Sequence, residues 1–168
     1  MRTFREALSF DDVLLIPQKS DINSRTEVEI SSSIGRNDFS LPIISSPMDT
    51  VTESAMAIEC SKQGGLGIIH RYNSIDGQCD IVSSIREYFE STSSQKINHI
   101  AAAVGVSSDL EERSDKLFQA GARILCIDVA HGHHSLVERA IKSLRDKYSN
   151  NITLIAGNVA TLESYVEL

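Results

Sequence analysis

The sequence has no tryptophan, only three cysteines and three prolines, and no long apolar run. A membrane-spanning helix needs ~20 mostly apolar residues, and no stretch of this chain approaches that length. The first ten residues also lack the apolar core of a signal peptide. The cysteines form no C-x-x-C pair, and their odd, sparse count argues against a disulfide framework. We therefore predict a soluble, cytoplasmic protein with reduced thiols, in which Cys60 and Cys126 are buried.

Positive charge is also scarce. Lys and Arg number 16 against 23 Asp and Glu, which gives a net charge of −7. No block of basic residues forms a stripe that could follow a nucleic acid backbone, so a nucleic acid partner is not indicated. A nucleotide-sized anion remains compatible with this balance, because net charge governs solubility and steering rather than one pocket.

Short apolar segments recur along the chain, and each is followed by a polar loop and a helical pattern. They occupy residues 42–46, 65–70, 99–105, 124–130 and 153–159. Apolar runs that are short and do not alternate are typical of strands buried on both faces of a parallel sheet. The alternation of strands and helices predicts an α/β fold.

The helical patterns carry start and stop signals. Thr52, Ser74 and Ser108 are candidate N-caps of three helices, and Gly121 is a candidate stop. Residues 135–149 form the clearest amphipathic helix, and another helix begins near residue 161.

Two architectures fit this order: a doubly wound open sheet or part of a (β/α)₈ TIM barrel. No G-x-G-x-x-G fingerprint follows a strand, which favours the barrel. A complete barrel needs about 250 residues, so we predict a partial catalytic barrel with about the first five strands. It occupies residues 1–168, divided into an irregular N-terminal segment, 1–41, with one possible short strand at 26–30, and βα units over 42–168.

In a barrel, the functional site lies where strands end and helices begin. Asp128 ends an apolar run, where a buried acid is costly without a partner. It is expected either to cap the next helix or pair with a neighbour, or to face the site and accept hydrogen bonds from a ribose diol. Asn158 follows Gly157 at another strand end and could bridge a turn or bind a ligand. Met48 could pack in its loop or lie against a flat aromatic ligand.

Histidines cluster in the loop after the fourth predicted strand. His131, His133 and His134 have the H-x-H spacing of some metal sites, but no third ligand is visible nearby, so no metal site is predicted. His70 ends a strand alone and is interpreted as a structural histidine. No cysteine stands in a strand-end loop as a nucleophile. No Lys or Glu stands at the strand ends either, which argues against an isomerase or aldolase.

Six segments stand out along nearly the whole chain: LSFDDVLLIPQKS, SSPMDTVTESAMAIE, GGLGIIHRYNSI, AAAVGV, AGARILCIDVAHGHHS and IAGNVAT. In this order they closely resemble the IMP dehydrogenase and GMP reductase family. The resemblance implies a (β/α)₈ barrel, usually in a homotetramer. It also implies nicotinamide-dependent redox chemistry at purine C2 of IMP or GMP, with a loop cysteine as covalent nucleophile.

The resemblance also assigns residues. Ser46 and Met48 match positions that contact the nucleotide, with the methionine near the base, and Asn158 matches an asparagine near the nucleotide. Asp128 matches the acid that meets the nicotinamide ribose. Val129, Ala130 and His131 match the loop along the cofactor, which would be NAD in a dehydrogenase or NADP in a reductase.

The resemblance does not decide the branch. The SSPMDTVTE and GGLGIIH segments resemble dehydrogenases, which convert IMP to XMP in GMP biosynthesis. NSRTEVEI and the absence of a regulatory tandem-repeat insert resemble reductases, which convert GMP to IMP and ammonia. The substrate loop favours the dehydrogenase. The family's catalytic cysteine and potassium site are expected beyond Leu168, so this chain alone is expected to be inactive, and a non-catalytic nucleotide-binding or assembly fragment is the further alternative.

Overall fold

The computed structural model describes residues 8–92 and 99–168. Two sheets are formed by these residues. A hairpin pairs β1 (Ser32–Ile34) with β2 (Asn37–Phe39), and five parallel strands follow in sequence order. They are β3 (Ile44–Ser45), β4 (Leu66–Ile69), β5 (Ala101–Val104), β6 (Ile124–Asp128) and β7 (Thr153–Gly157). The sheet curls into a half-barrel, which confirms the predicted partial TIM barrel.

Five helices connect and follow these strands. They are α1 (Ser54–Lys62), α2 (Ile75–Thr92), α3 (Leu110–Ala120), α4 (Ser135–Tyr148) and α5 (Leu162–Glu167). No helix within the described ranges is long and apolar enough to cross a membrane.

The central strands are short and apolar because both of their faces are buried. On the outer face, Ile69, Ala102 and Leu125 are fully buried against the helices. On the inner face, Leu66, Ala101 and Ile124 pack together with neighbours from β6 and from the hairpin. Each buried Leu or Ile side chain contributes about 2 kcal/mol of hydrophobic stabilisation.

Three helix starts test the predicted caps. Ser74 is a cap, since its Oγ accepts a hydrogen bond from the backbone N–H of Gly77 at 3.1 Å. The predictions for Thr52 and Ser108 were wrong, because α1 and α3 begin after Glu53 and Asp109. The hydroxyl of Thr52 bonds to the preceding loop instead.

The predicted stop at Gly121 is confirmed. This residue ends α3 with φ of 125°, a conformation that glycine adopts without the steric cost of a side chain.

Residues 1–41 were predicted to form an irregular segment, and within its described part, residues 8–41, this prediction was wrong where the β1–β2 hairpin forms. Residues 25–27 form a 3₁₀ turn where a short strand was considered, and the hairpin occupies residues 32–39. Its turn contains Gly35 at φ of 62°, and the Asn37 amide donates to Thr153 Oγ1 at 2.9 Å. The hairpin therefore packs against the amino-terminal end of the parallel sheet.

A buried polar network joins α2 and α3 to the sheet. Gln78 is fully buried and donates through Nε2 to the carbonyl of Ala103 at 2.9 Å. Its Oε1 accepts from Arg113 Nη1 at 2.9 Å, and Arg113 Nε also donates to Asp109 at 2.7 Å. These contacts satisfy polar groups that would be costly to bury alone. The network fixes the strands whose carboxyl ends carry the loops described below.

Candidate functional site

The polar loops singled out from the sequence follow the carboxyl ends of the five parallel strands. Since neighbouring parallel strands point the same way, these loops lie along one edge of the sheet. That edge is where ligands bind in α/β barrels.

The loop after β3 presents Met48 to solvent. A tight turn brings the Met48 N–H to the Ser46 carbonyl at 2.8 Å, and the Met48 carbonyl accepts from the Thr52 N–H at 3.0 Å. The Met48 side chain is 51% exposed. It is thus not packed into the core, and of the two alternatives from the sequence, an exposed thioether suits contact with a ligand better.

Thr52 holds the Met48 loop through its buried hydroxyl group. It is fully buried, and its Oγ1 lies 2.6 Å from the Ser46 carbonyl and 2.9 Å from Ser45 Oγ. The hydroxyl donates its one proton to the carbonyl and can accept from Ser45. Sequence reasoning missed this role, because Thr52 also fits the pattern of a helix cap.

The ends of β6 and β7 form a second cluster. Asp128 lies opposite Gly157 in the parallel register. The Val129 N–H donates to the Gly157 carbonyl at 3.0 Å, and the Asn158 N–H donates back to the Val129 carbonyl at 2.8 Å. The Gly157–Asn158 peptide is cis. Backbone bonds therefore fix Asn158, so its side chain is not required to bridge the turn.

Gly132 closes this cluster. Its N–H donates to the Asn158 carbonyl at 2.7 Å. A Cβ at this position would lie 2.8 Å from the same oxygen, so only glycine permits the approach. The loop after β6 is held against the end of β7 as a result.

An open cavity of about 320 Å³ lies beside these two strand ends. Asp128, Gly157 and Asn158 line it with neighbouring residues of β6 and β7. His134, not Asp128, caps α4, and no described residue forms a hydrogen bond or ion pair with the Asp128 carboxylate. The capping and pairing alternatives for Asp128 are thereby excluded within the described residues. A half-exposed carboxylate beside a cavity has the acceptor oxygens that a ribose diol needs.

The histidines of the loop after β6 point to different partners. His134 Nδ1 accepts from the Leu136 N–H at 3.0 Å, and His133 Nε2 lies 2.6 Å from Glu167 Oε2 of α5. His131 is exposed and makes an edge contact with the His134 ring, the centroids being 6.5 Å apart. Within residues 8–92 and 99–168, no group of three or more His, Cys, Asp and Glu side chains is arranged for a metal ion.

His70 has the contacts of a structural residue. It is 1% exposed, and its Nδ1 accepts from the Tyr72 N–H at 3.2 Å. Its Nε2 lies 3.3 Å from Glu53 Oε1 at the start of α1. The ring thus links the end of β4 to the loop that carries Met48.

Arg71 lies between the two clusters. A side chain at Gly105, after β5, would meet the Arg71 guanidinium at 3.4 Å, so this arginine crosses from the end of β4 to the end of β5. Its Nε is buried and has no hydrogen-bond partner among the described residues. Sequence reasoning did not single it out, since nothing in the HRYNS segment distinguishes it from a surface arginine.

The two clusters share an edge without touching. Ser46 and Met48 follow β3, whereas Asp128 and Asn158 follow β6 and β7. Three strand spacings separate β3 from β6, or roughly 14 Å along the sheet. A ligand that contacts both clusters must therefore be extended, with one part near Met48 and another in the Asp128 cavity.

Comparison with known proteins shows the family of this chain. A family model described as "IMP dehydrogenase / GMP reductase domain" matches residues 7–168. The chain belongs to the IMP dehydrogenase / GMP reductase family. A relative from Borreliella burgdorferi, named inosine-5'-monophosphate dehydrogenase, is 35% identical over 207 residues, covering 98% of this chain and 51% of the relative.

Two further relatives carry the same printed name. The protein from Cryptosporidium parvum is 31% identical, over 97% of this chain and 48% of its own length. The protein from Nitrosopumilus maritimus is 26% identical over 284 residues, with 98% of this chain and 59% of the relative covered. The matched region of the latter contains segments that this chain lacks. The chain spans about half the length of the curated relatives it matches.

Two of the three cysteines have thiols with a raised pKa. Cys126 lies within β6, where burial, aided by the nearby Asp128 carboxylate, raises the pKa of its thiol to about 12. Burial also raises the pKa of Cys79, on α2. Cys60, on α1, is half-buried, so the predicted burial is confirmed for Cys126 alone. Thiols whose pKa is raised remain protonated near neutral pH and are poor nucleophiles.

Proposed function

We propose that this chain forms the nucleotide-binding part of an IMP dehydrogenase-like enzyme, which converts IMP and NAD⁺ to XMP and NADH. The observation that carries this proposal is the exposed Met48 loop on the same sheet edge as the Asp128 cavity, in a chain that belongs to the family. The printed names of the relatives favour the dehydrogenase branch.

The substrate nucleotide is assigned to Ser46, Met48 and Asn158. The exposed thioether of Met48 offers a polarisable surface to the flat purine. Asn158, exposed beside the cavity, offers both a donor and an acceptor.

The cofactor is assigned to Asp128, Val129, Ala130 and His131. The Asp128 carboxylate, free of described partners and beside a cavity of about 320 Å³, fits a ribose diol as acceptor. The loop that follows Asp128 is held near the cavity by backbone bonds from Val129 to Gly157 and from Gly132 to Asn158. NAD⁺, when bound, supplies the hydride acceptor, while these residues orient its ribose.

A GMP reductase that uses NADPH is the second candidate, favoured by the segments that the Nitrosopumilus maritimus relative has and this chain lacks. A non-catalytic nucleotide-binding or assembly role for this chain is the third. A potassium site in the whole protein, assembly into a homotetramer and location in the cytoplasm stay predictions from the sequence.

Absorbance at the NADH band tests the reaction in the protein that carries this chain. With IMP and NAD⁺, absorbance should rise, whereas a reductase given GMP and NADPH should lower it. No change with either pair in a folded protein would refute both oxidoreductase proposals and leave the non-catalytic role.

Matched acid variants test the assignment of the cofactor site. Asp128→Asn should raise KM for NAD⁺ about tenfold, since one charge-assisted hydrogen bond to the ribose is weakened. Asp146→Asn, at an exposed acid on α4, is the control and should leave KM unchanged. Equal effects of the two substitutions would contradict the assignment of Asp128.

A further inference from the structure

A second cleft lies at the opposite, amino-terminal end of the parallel sheet, between the β1–β2 hairpin and the starts of β6 and β7. Its volume is about 460 Å³. Three arginines line it, Arg36, Arg123 and Arg145, together with asparagines at positions 37, 150 and 151. No Asp or Glu is among its lining residues. Such a lining is unusual in a chain with seven more acidic than basic side chains.

Two of these guanidinium groups are fixed by backbone carbonyls. Arg123 Nη1 donates to the carbonyls of Phe118 and Ala122, both at 2.8 Å, and its Cζ lies 4.1 Å from the Phe118 ring centroid. Arg145 Nη1 donates to the carbonyls of Ser149 and Ile152 at 3.1 and 3.0 Å. Carbonyls orient a guanidinium without neutralising it, so both positive charges persist at the cleft.

The hairpin holds the third arginine at the same opening. A Cβ at Gly35 would lie 2.9 Å from Thr153 Cγ2, so the turn that carries Arg36 packs directly on the start of β7. Asn37 Nδ2 donates to Thr153 Oγ1 at 2.9 Å, and Asn37 Oδ1 lies 2.9 Å from His99 Nδ1. Burial lowers the pKa of His99, which leaves it neutral and able to orient the Asn37 amide as a donor.

None of the three arginines is paired with an acid in the part of the chain that the structure describes. Within residues 8–92 and 99–168, no carboxylate forms an ion pair with Arg36, Arg123 or Arg145. The nearby acid of the hairpin, Asp38, accepts instead from Ser33 Oγ at 2.8 Å. The cleft thus combines fixed positive charge, amide donors and space for more than one phosphate group.

We propose that this cleft binds a small ligand that carries a phosphate or diphosphate group, at a site separate from the edge assigned to substrate and cofactor. Arginine forks match phosphate oxygens in pairs, and the side-chain amides of Asn150 and Asn151 supply further donors. The site lies at the far end of the strands from Met48 and Asp128, and its existence does not depend on the proposed oxidoreductase function.

Calorimetric titration of the 168-residue chain with inorganic pyrophosphate tests the proposal. The titration is done at about 0.15 M salt, because screening at that ionic strength suppresses diffuse attraction between exposed charges. Saturable binding at one site is expected. Arg36→Gln should weaken it about tenfold, since one charge-assisted contact is lost. Arg36 is exposed on a turn and has no described partner, so the variant should keep the far-ultraviolet circular dichroism of the parent chain.

Arg139→Gln is the matched control, because Arg139 is an exposed arginine of α4 away from the cleft. It should leave the affinity within about twofold of the parent. The proposal is overturned by the absence of saturable heat up to about 10 mM pyrophosphate, or by equal weakening in the Arg36 and Arg139 variants. The latter result would mean that the anion responds only to overall charge.

Discussion

Replacing Thr52 by valine tests whether one buried hydroxyl orders the loop that carries Met48. Valine has nearly the shape of threonine, so the change removes a donor without opening a cavity. The hydrogen bond from Thr52 Oγ1 to the Ser46 carbonyl, at 2.6 Å, is lost, and that carbonyl keeps only the Met48 N–H, at 2.8 Å, as a described donor. Because the carbonyl remains satisfied, the loss is that of one ordinary hydrogen bond, and we expect a free energy of unfolding lower by about 1 kcal/mol.

Thr52→Ser is the matched control, because it keeps the hydroxyl and removes the methyl group. A Cβ at Gly67 would lie 3.3 Å from Thr52 Cγ2, so this methyl lies beside β4. Its removal costs about 1 kcal/mol through lost burial and a small void. Both variants are therefore destabilised, but only the valine variant loses the bond to the loop.

Urea unfolding measures the two stabilities, and calorimetry with IMP measures the consequence for the loop. We expect Thr52→Val to weaken IMP binding about tenfold, whereas Thr52→Ser should stay within about threefold of the parent. If both variants bind IMP equally well, or the valine variant unfolds at the urea concentration of the parent, Thr52 does not order this loop.

Two other predictions concern polar contacts away from the site. Gln78→Met should lower the free energy of unfolding by about 3 kcal/mol, because Arg113 loses a buried acceptor. In the double variant with Arg113→Leu, the destabilisation measured by urea unfolding should be smaller than the sum of the two single effects by more than about 1 kcal/mol. Strict additivity would show that the two side chains are not coupled. The pKa of Asp115 is lowered by its bonds to Lys147 and Tyr148, so its contribution to stability is present above the ordinary value of 3.8 and is lost as pH falls below it. Asp115→Asn should therefore flatten the fall of the urea midpoint between about pH 4 and pH 2, and an unchanged slope would refute this reasoning.

The order of strands and helices was predictable because burial on both faces leaves a strong signal in the sequence. The segment that became β6, Ile124–Asp128, is apolar until its last residue, as a central parallel strand must be. The first and last residues of a strand were less predictable for β3, the outermost strand of the sheet. Residues 42–46 yielded only the two-residue strand Ile44–Ser45, since Pro42 has no N–H to donate and β3 pairs on one side only.

The hairpin could not be predicted because its stability is not local. Residues 32–39 contain few apolar side chains, and their packing depends on Thr153, more than 100 residues away along the chain. The same limit applies to the caps. Ser74 has no competing partner and caps its helix, whereas the Thr52 hydroxyl finds a carbonyl of the preceding loop at shorter range than the helix start.

The candidate site was predictable as a set of loops and not as a geometry. Strand ends identified Met48, Asp128 and Asn158 from the sequence, because polar residues after apolar runs are conspicuous. Their arrangement in two clusters about three strands apart follows from the sheet order of the predicted barrel, whereas the contacts that hold each loop do not follow from it. Arg71, which lies between the clusters, could not be identified from the sequence, since only its position against the end of β5 distinguishes it.

Hydrogen–deuterium exchange of the 168-residue chain with and without saturating IMP tests the central claim most directly, because it reports where along the chain the nucleotide binds. Slower exchange is predicted at backbone amides of residues 46–52 and 157–160, the two loops at the carboxyl edge of the sheet. Unchanged exchange in both loops would contradict the proposed nucleotide site. So would slowing confined to residues 34–37 and 150–154, which line the arginine cleft at the opposite end.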